Sequence, residues 1–269
     1  MILEIYIEGI MLYLLGIIIV GYLMYKCYVW FFKSVLVFNS DLTEVQKQLL
    51  ETNVFYYTKL TTEEKQRFSK AVALFLSSIK IKAVSCTVTD VDELLIGSSA
   101  IIPVFGFPNW RYANLKEVYI FPDAFNSKLE YVGWRNNRNI LGIVGGGRLK
   151  NKMVLSQKAL RHGFENKSDK NNTAIHEFVH LIDMTDGDVD GLPLSIIDKP
   201  YTLPWFDLIH KKIEHIDDGK SDINPYGATS KIEFFAVASE YFFERPKLLK
   251  RKHPELYKKL SLFFNQDRA

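Results

Sequence analysis

The chain has 269 residues, 48% of them apolar and 24% charged, with 34 Lys+Arg against 31 Asp+Glu. A net charge of +3 is too small to point to nucleic acid, and no stretch interleaves basic and aromatic residues as a nucleic-acid face would. Two cysteines exclude a disulfide scaffold and a multi-cysteine zinc site. Aromatic content of 14% without low-complexity segments excludes a disordered chain.

Residues 9–25 carry no charge, and after Lys26 the apolar run continues to residue 32. A helix over 9–32 would be roughly 36 Å long, enough to cross a hydrocarbon core of ~30 Å. Lys26 can snorkel to the interface, with Trp30 at headgroup level. Glu4 and Glu8 precede the run and no small-residue cleavage site follows, so the segment reads as an anchor, not as a signal peptide. Lys26 and Lys33 on its C-terminal side place the body in the cytoplasm by the positive-inside rule. The expectation is a single-pass inner-membrane protein, with residues 1–33 as the anchor, 34–54 as linker and first helix, and 55–269 as the globular domain.

In that body, residues 41–58 read as a helix. Thr61 and Glu64 have capping-box spacing and open a second helix, with Phe68, Val72, Phe75 and Leu76 on one face. Residues 83–88 read as a strand, and 90–102 as a helix that stops before Pro103. Strands follow at 117–121 and 153–156, separated by a glycine loop at 145–147. Helices are expected at 172–184, 204–216, 229–245 and 254–264. Three short strands followed by helices make an α+β domain, mostly helical with a small sheet.

The chemistry gathers in two places. His176, Glu177 and His180 form H-E-x-x-H. Four residues apart on a helix, the two imidazoles lie one turn apart on one stripe and can converge on one ion, with Glu177 beside them to take a proton from a metal-activated water. The flanks NKSDKNN and DMTDGDVDG are polar, so the site is not embedded in a membrane span. The extended form of the motif fails because Asp183 and Asp186 stand where it needs glycine and histidine. The third ligand therefore lies elsewhere, and the apolar helix over 232–244 offers it. Glu233 and Glu240 share roughly one face of that helix, and a carboxylate there is costly unless paired or metal-bound. Glu233 is the better candidate for ligand. Glu240 is the runner-up, or a hydrogen-bond partner of a ligand histidine. Asp183, one turn beyond His180, is a candidate to orient that ring. His162, His210, His215 and His253 read as structural or solvated.

Several separate segments in order carry a family resemblance: LTTEEKQRFSKAVALFL, EVYIFPDAF, VLS, IHEFVHLIDMTDGDVDGLP, and EFFAVASEYFFERP with PELY after it. Over roughly residues 55–266 the chain resembles the Mlc titration factor A family, glucose-regulated zinc-dependent peptidases. The resemblance implies a zincin-like domain, Zn2+ held by His176, His180 and Glu233, and Glu177 as catalytic base. A more distant likeness to the catalytic domain of anthrax lethal factor, which has a Tyr-Gly pair seven residues before its ligand Glu, nominates Tyr226 for the oxyanion. MVLS at 153–156 is a candidate edge strand for an extended peptide. The implied partners are a peptide or protein substrate and the lipid bilayer, without nucleic acid. The alternative function is a module that captures a regulatory protein such as a transcriptional repressor, with zinc kept for structure. The first 32 residues are the departure from the soluble members.

Overall fold

The structure is a computed structural model that describes residues 11–28, 41–126, 140–145, 147–166, 169–197, 200 and 202–269. It divides into two compact units, Met1–Asp41 and Leu42–Ala269. In the first, helix α1 (Met11–Tyr28) has a mean hydropathy of 1.6 and is fully exposed, and it is long and apolar enough to cross a membrane. The expected ends of the span at 9–10 and 29–32, with Trp30, Lys33 and the linker over 34–40, lie outside the described residues.

The second unit is α+β, as expected. Its first helix is interrupted: α2 (Glu44–Asn53) and α3 (Phe55–Thr58) are separated by Val54, which adopts an extended conformation and inserts into the core. Thr61 and Glu64 close a reciprocal capping box on α4 (Thr62–Ser78), whose Phe68, Val72 and Phe75 are buried. Strand β1 (Lys80–Ala83) precedes the expected 83–88 segment. Ser85 sits at φ 58 and ends the extended run. An apolar pattern could not reveal β1, because edge strands alternate with lysines, here Lys80 and Lys82.

Helix α5 (Asp90–Val104) runs through Pro103 instead of stopping before it. The proline falls in the last turn, where Tyr112 Oη donates to the Ala100 carbonyl and Gln266 Nε2 donates to that of Ile102, both at 2.8 Å. Strands β2 (Glu117–Phe121), β3 (Gly142–Val144) and β4 (Lys152–Ser156) complete a four-stranded sheet in the order β1-β2-β4-β3. β1, β2 and β4 are parallel, and β3 is antiparallel to β4. The residues 153–156 are therefore interior, which overturns their assignment as an edge. Met153, Val154 and Leu155 are buried on both faces, as a central strand requires. The edge on that side is β3, which the glycine-rich surroundings concealed.

Two further helices escape the sequence pattern: α6 (Gln157–Glu165), capped by the Ser156 hydroxyl directly at the end of β4, and α10 (Pro246–Lys252). The remaining helices are α7 (Thr173–Asp183), α8 (Thr202–Asp217), α9 (Lys231–Glu244) and α11 (Pro254–Phe263). α7 and α9 are apolar almost all round and pack against each other at the centre, with Phe178, Val179, Phe234, Phe235 and Phe242 fully buried.

Candidate metal centre

Helix α7 starts at Asn172, whose side-chain Oδ1 accepts the Ile175 N–H and fixes the first turn. One turn further, His176 and His180 lie along one stripe, edge to face, with ring centroids 4.6 Å apart. Opposite them, the Ser230 hydroxyl caps α9 by accepting the Glu233 N–H, which sets Glu233 in the first turn. Its Oε2 lies 2.9 Å from His176 Nε2 and 3.5 Å from His180 Nε2, and the two Nε2 atoms are 3.0 Å apart. Among the described residues, these are the one group of three or more His, Cys, Asp or Glu whose donor atoms converge in this way.

The donor set fits a zinc ion. Donors about 2.0–2.1 Å from zinc in a tetrahedron stand about 3.3 Å from one another, and the three separations scatter around that value. Protonation points the same way. Glu240 Oε1 lies 2.7 Å from His176 Nδ1, so a neutral His176 donates there and turns the Nε2 lone pair towards Glu233 and His180. Burial disfavours a charged His176, yet its hydrogen bonds to Glu233 and Glu240 push its pKa up to about 10. Burial likewise raises Glu233, but the two histidines outweigh it and hold the carboxyl down to about 2. The carboxylates thus favour positive charge beside the imidazoles, carried by a proton on His176 without a metal ion and by the ion where one is held.

Glu240 is buried, and its second oxygen accepts the Asn172 N–H at 2.5 Å, so the end of α7 and the His176 ring hang from one carboxylate. Glu177 is also buried, and burial raises its pKa. Its carboxyl lies against β3: a Cβ added at Gly142 would stand 2.7 Å from Glu177 Cγ and 2.8 Å from Oε1. Tyr226, in the 3-10 turn Pro225–Ala228 ahead of α9, is half exposed, with its ring 6.0 Å from that of His176. Burial, then the charges of Glu233 and Glu177, raise its pKa and keep the phenol protonated. A cleft of about 1000 Å³ reaches the group at His176 and is lined also by Glu177, Tyr226, Gly142, Thr173 and Glu240 among others.

Asp183 is not placed on His180. It is buried, and its Oδ2 accepts the Gly191 N–H at 3.0 Å. Gly191, at φ 76, lies so close to the Lys231 carbonyl that an added Cβ would be 2.5 Å from it, and its own carbonyl accepts the Trp205 indole N–H. Asp183 therefore fixes the loop on which the first turn of α9, and with it Glu233, rests. His162 is on α6, its Nε2 3.1 Å from Asp169 Oδ2. His210 and His215 are exposed on α8, and His253 is buried on Asp222. Sequence reasoning missed Gly142, Asn172 and Gly191. Asn172 carries a helix-start signal, whereas nothing local marks Gly142.

A model of the glucose-regulated metallo-peptidase M90 family matches residues 30–265. Mlc titration factor A of Escherichia fergusonii is 30% identical over 222 residues, covering 77% of this chain and 81% of that protein. The Pectobacterium atrosepticum protein of the same name is 25% identical over 223 residues, with the same coverage. An uncharacterised Synechocystis protein, slr2042, is 25% identical over 240 residues, covering 84% of this chain and 86% of its own. With nearly the whole second unit matched and the histidine pair inside the match, the chain belongs to the glucose-regulated metallo-peptidase M90 family.

Proposed function

We propose that this protein is a membrane-anchored zinc metallopeptidase that hydrolyses peptide bonds of a protein or peptide substrate at the cytoplasmic face of the inner membrane. One observation carries the reading: the donor atoms of His176, His180 and Glu233 converge, and His176 and the buried carboxylate of Glu177 line an open cleft beside them. When bound there, zinc supplies Lewis acidity that makes water a nucleophile near neutral pH. Glu177 takes the proton from that water and hands it to the leaving amine, a task suited to a carboxyl whose pKa is raised by burial. Tyr226, protonated and facing the cleft, donates to the oxygen on which charge develops. Glu240 holds His176 in the tautomer that leaves Nε2 free. The apolar, exposed α1, with Lys26 near its C-terminal end, supports the anchor and its orientation.

A second reading follows from the relatives' name, which refers to titration of Mlc: the chain captures a regulatory protein and zinc is structural. Glu177 argues against it, since a structural zinc site has no use for a buried general base. Metal analysis with a peptide-hydrolysis assay separates the two. Glu233→Ala should lose most zinc, and Glu177→Gln should keep it while losing turnover. Full zinc in Glu233→Ala would transfer the ligand role elsewhere, and full turnover in Glu177→Gln would remove the base.

A further inference from the structure

The excess positive charge of this chain sits in one place. Residues 246–263, which form α10 and α11, hold six Lys or Arg and one acidic residue, a net +5. The whole chain carries +3, so the other 251 residues sum to −2. Lys247, Lys250 and Arg251 recur at i, i+3 and i+4 on α10 and are exposed, as is Lys258 on α11. The two helices pack against each other, and Lys250 lies over the ring of Tyr257 at 5.2 Å, so both contribute to one surface. Lys212 of α8 extends it, its Nζ 3.4 Å from His253 Nδ1 at the α10–α11 junction.

Counter-charge is sparse. Asp222 neutralises Lys252 at 3.1 Å and Lys170 at 3.4 Å, and no ion pair is seen for Lys247, Lys250, Arg251 or Lys258 among the described residues. The local field registers on His253, whose pKa is lowered by burial and, despite its Asp222 partner, by Lys212 and Lys252.

We infer that the α10–α11 surface docks on the anionic headgroups of the bilayer that holds α1, as a second attachment beside the anchor. The inference rests on the anchored reading proposed above. A cytoplasmic leaflet carries a negative surface potential that attracts clusters of this size within about a Debye length. Thirteen residues separate Tyr28 from Leu42, a stretch that spans at most about 50 Å when extended. Lipid is thus held at high effective concentration, and a patch of modest intrinsic affinity suffices. Docking would fix which way the cleft faces and so favour substrates at the membrane surface.

The test uses the full chain reconstituted with its body outside vesicles of phosphatidylcholine alone or with 30% phosphatidylglycerol. A donor fluorophore on Glu255→Cys, in a Cys27→Ser, Cys86→Ser background, reports proximity to headgroup-labelled acceptor lipid. The comparison variant is Lys247→Gln, Lys250→Gln, Arg251→Gln and Lys258→Gln, checked by its melting temperature. Flotation on phosphatidylcholine alone reads the anchor separately, since the patch has nothing to bind there. A chain that fails to float on that lipid loses the anchor reading and the tether with it. Energy transfer should be higher on the anionic vesicles. The ratio of docked to undocked chain should fall at least roughly tenfold in the variant or at high salt. Equal transfer on both lipids, or an unchanged variant, overturns the inference. So does a wild-type chain that ignores the anionic lipid but binds a DNA duplex or a polyglutamate peptide through these four residues.

Discussion

Gly142→Ala is the sharpest probe of the catalytic arrangement, because it moves one group and leaves the donors alone. The new methyl would stand 2.7 Å from Glu177 Cγ, 2.8 Å from Glu177 Oε1 and 2.8 Å from Thr173 Cγ2. Carbon contacts relax at about 3.5–4.0 Å, so something must yield by about 1 Å. Thr173 and Glu177 are both on α7, which Ile175, Phe178 and Val179 lock into the core. The Glu177 side chain and the three-residue edge strand β3 are what can move. A misplacement of about 1 Å at a reacting group costs on the order of 10²-fold in rate, whereas overpacking costs about 1–3 kcal/mol of stability. Gly142→Ala should therefore melt only a few degrees lower, keep one equivalent of zinc and lose about two decades of kcat. Peptide hydrolysis, metal analysis and a thermal melt read these three quantities separately. An unchanged kcat at full zinc would refute the placement of Glu177 against β3. Loss of zinc would show that α7 itself moves.

Tyr226→Phe should fold and hold zinc while kcat falls by about 10²–10³, the usual cost of losing one oxyanion donor, and unchanged turnover would take the phenol out of the reaction. Asp222 accepts hydrogen bonds from His253 Nε2 and Tyr241 Oη, both at 2.8 Å, and pairs with Lys252. Burial raises its pKa, but these partners outweigh burial and hold the carboxyl well below the usual range. A depressed carboxylate stabilises the fold above its unfolded pKa of about 3.9, and the benefit is lost as pH falls below that value. Asp222→Asn should therefore lower the melting temperature at pH 7 by several degrees, and its acid-unfolding limb below about pH 4 should be shallower than that of wild type. Parallel limbs in the two proteins would contradict this.

What the sequence reveals of the fold depends on how local the determinant is. The capping box at Thr61 and Glu64 is written within four residues, and so is the apolar run of β2. The break at Val54 and the passage of α5 through Pro103 depend on distant partners, the core in one case and Gln266 and Tyr112 in the other. The place of residues 153–156 in the sheet is a matter of strand order. An apolar four-residue run looks the same at an edge as in the middle, and only the pairing of β3, hidden beside a glycine loop, decides it.

The same distinction explains the site. H-E-x-x-H needs only helical periodicity to place His176 and His180 on one stripe. Between Glu233 and Glu240 periodicity is silent, because residues seven apart on a helix face the same way. The two carboxylates in fact reach the same imidazole from its two sides, Glu233 at Nε2 and Glu240 at Nδ1, 2.9 and 2.7 Å away. What separates their roles is His180. Its Nε2 lies 3.0 Å from the His176 Nε2, so the nitrogens placed to share an ion in the proposed site are those on the Glu233 side. The Nδ1 on the other side is left to hold the ring in place. The proposed ligand and its supporting carboxylate thus have the same residue type, the same helix and the same face, and their proposed chemistry divides according to which imidazole nitrogen each one meets.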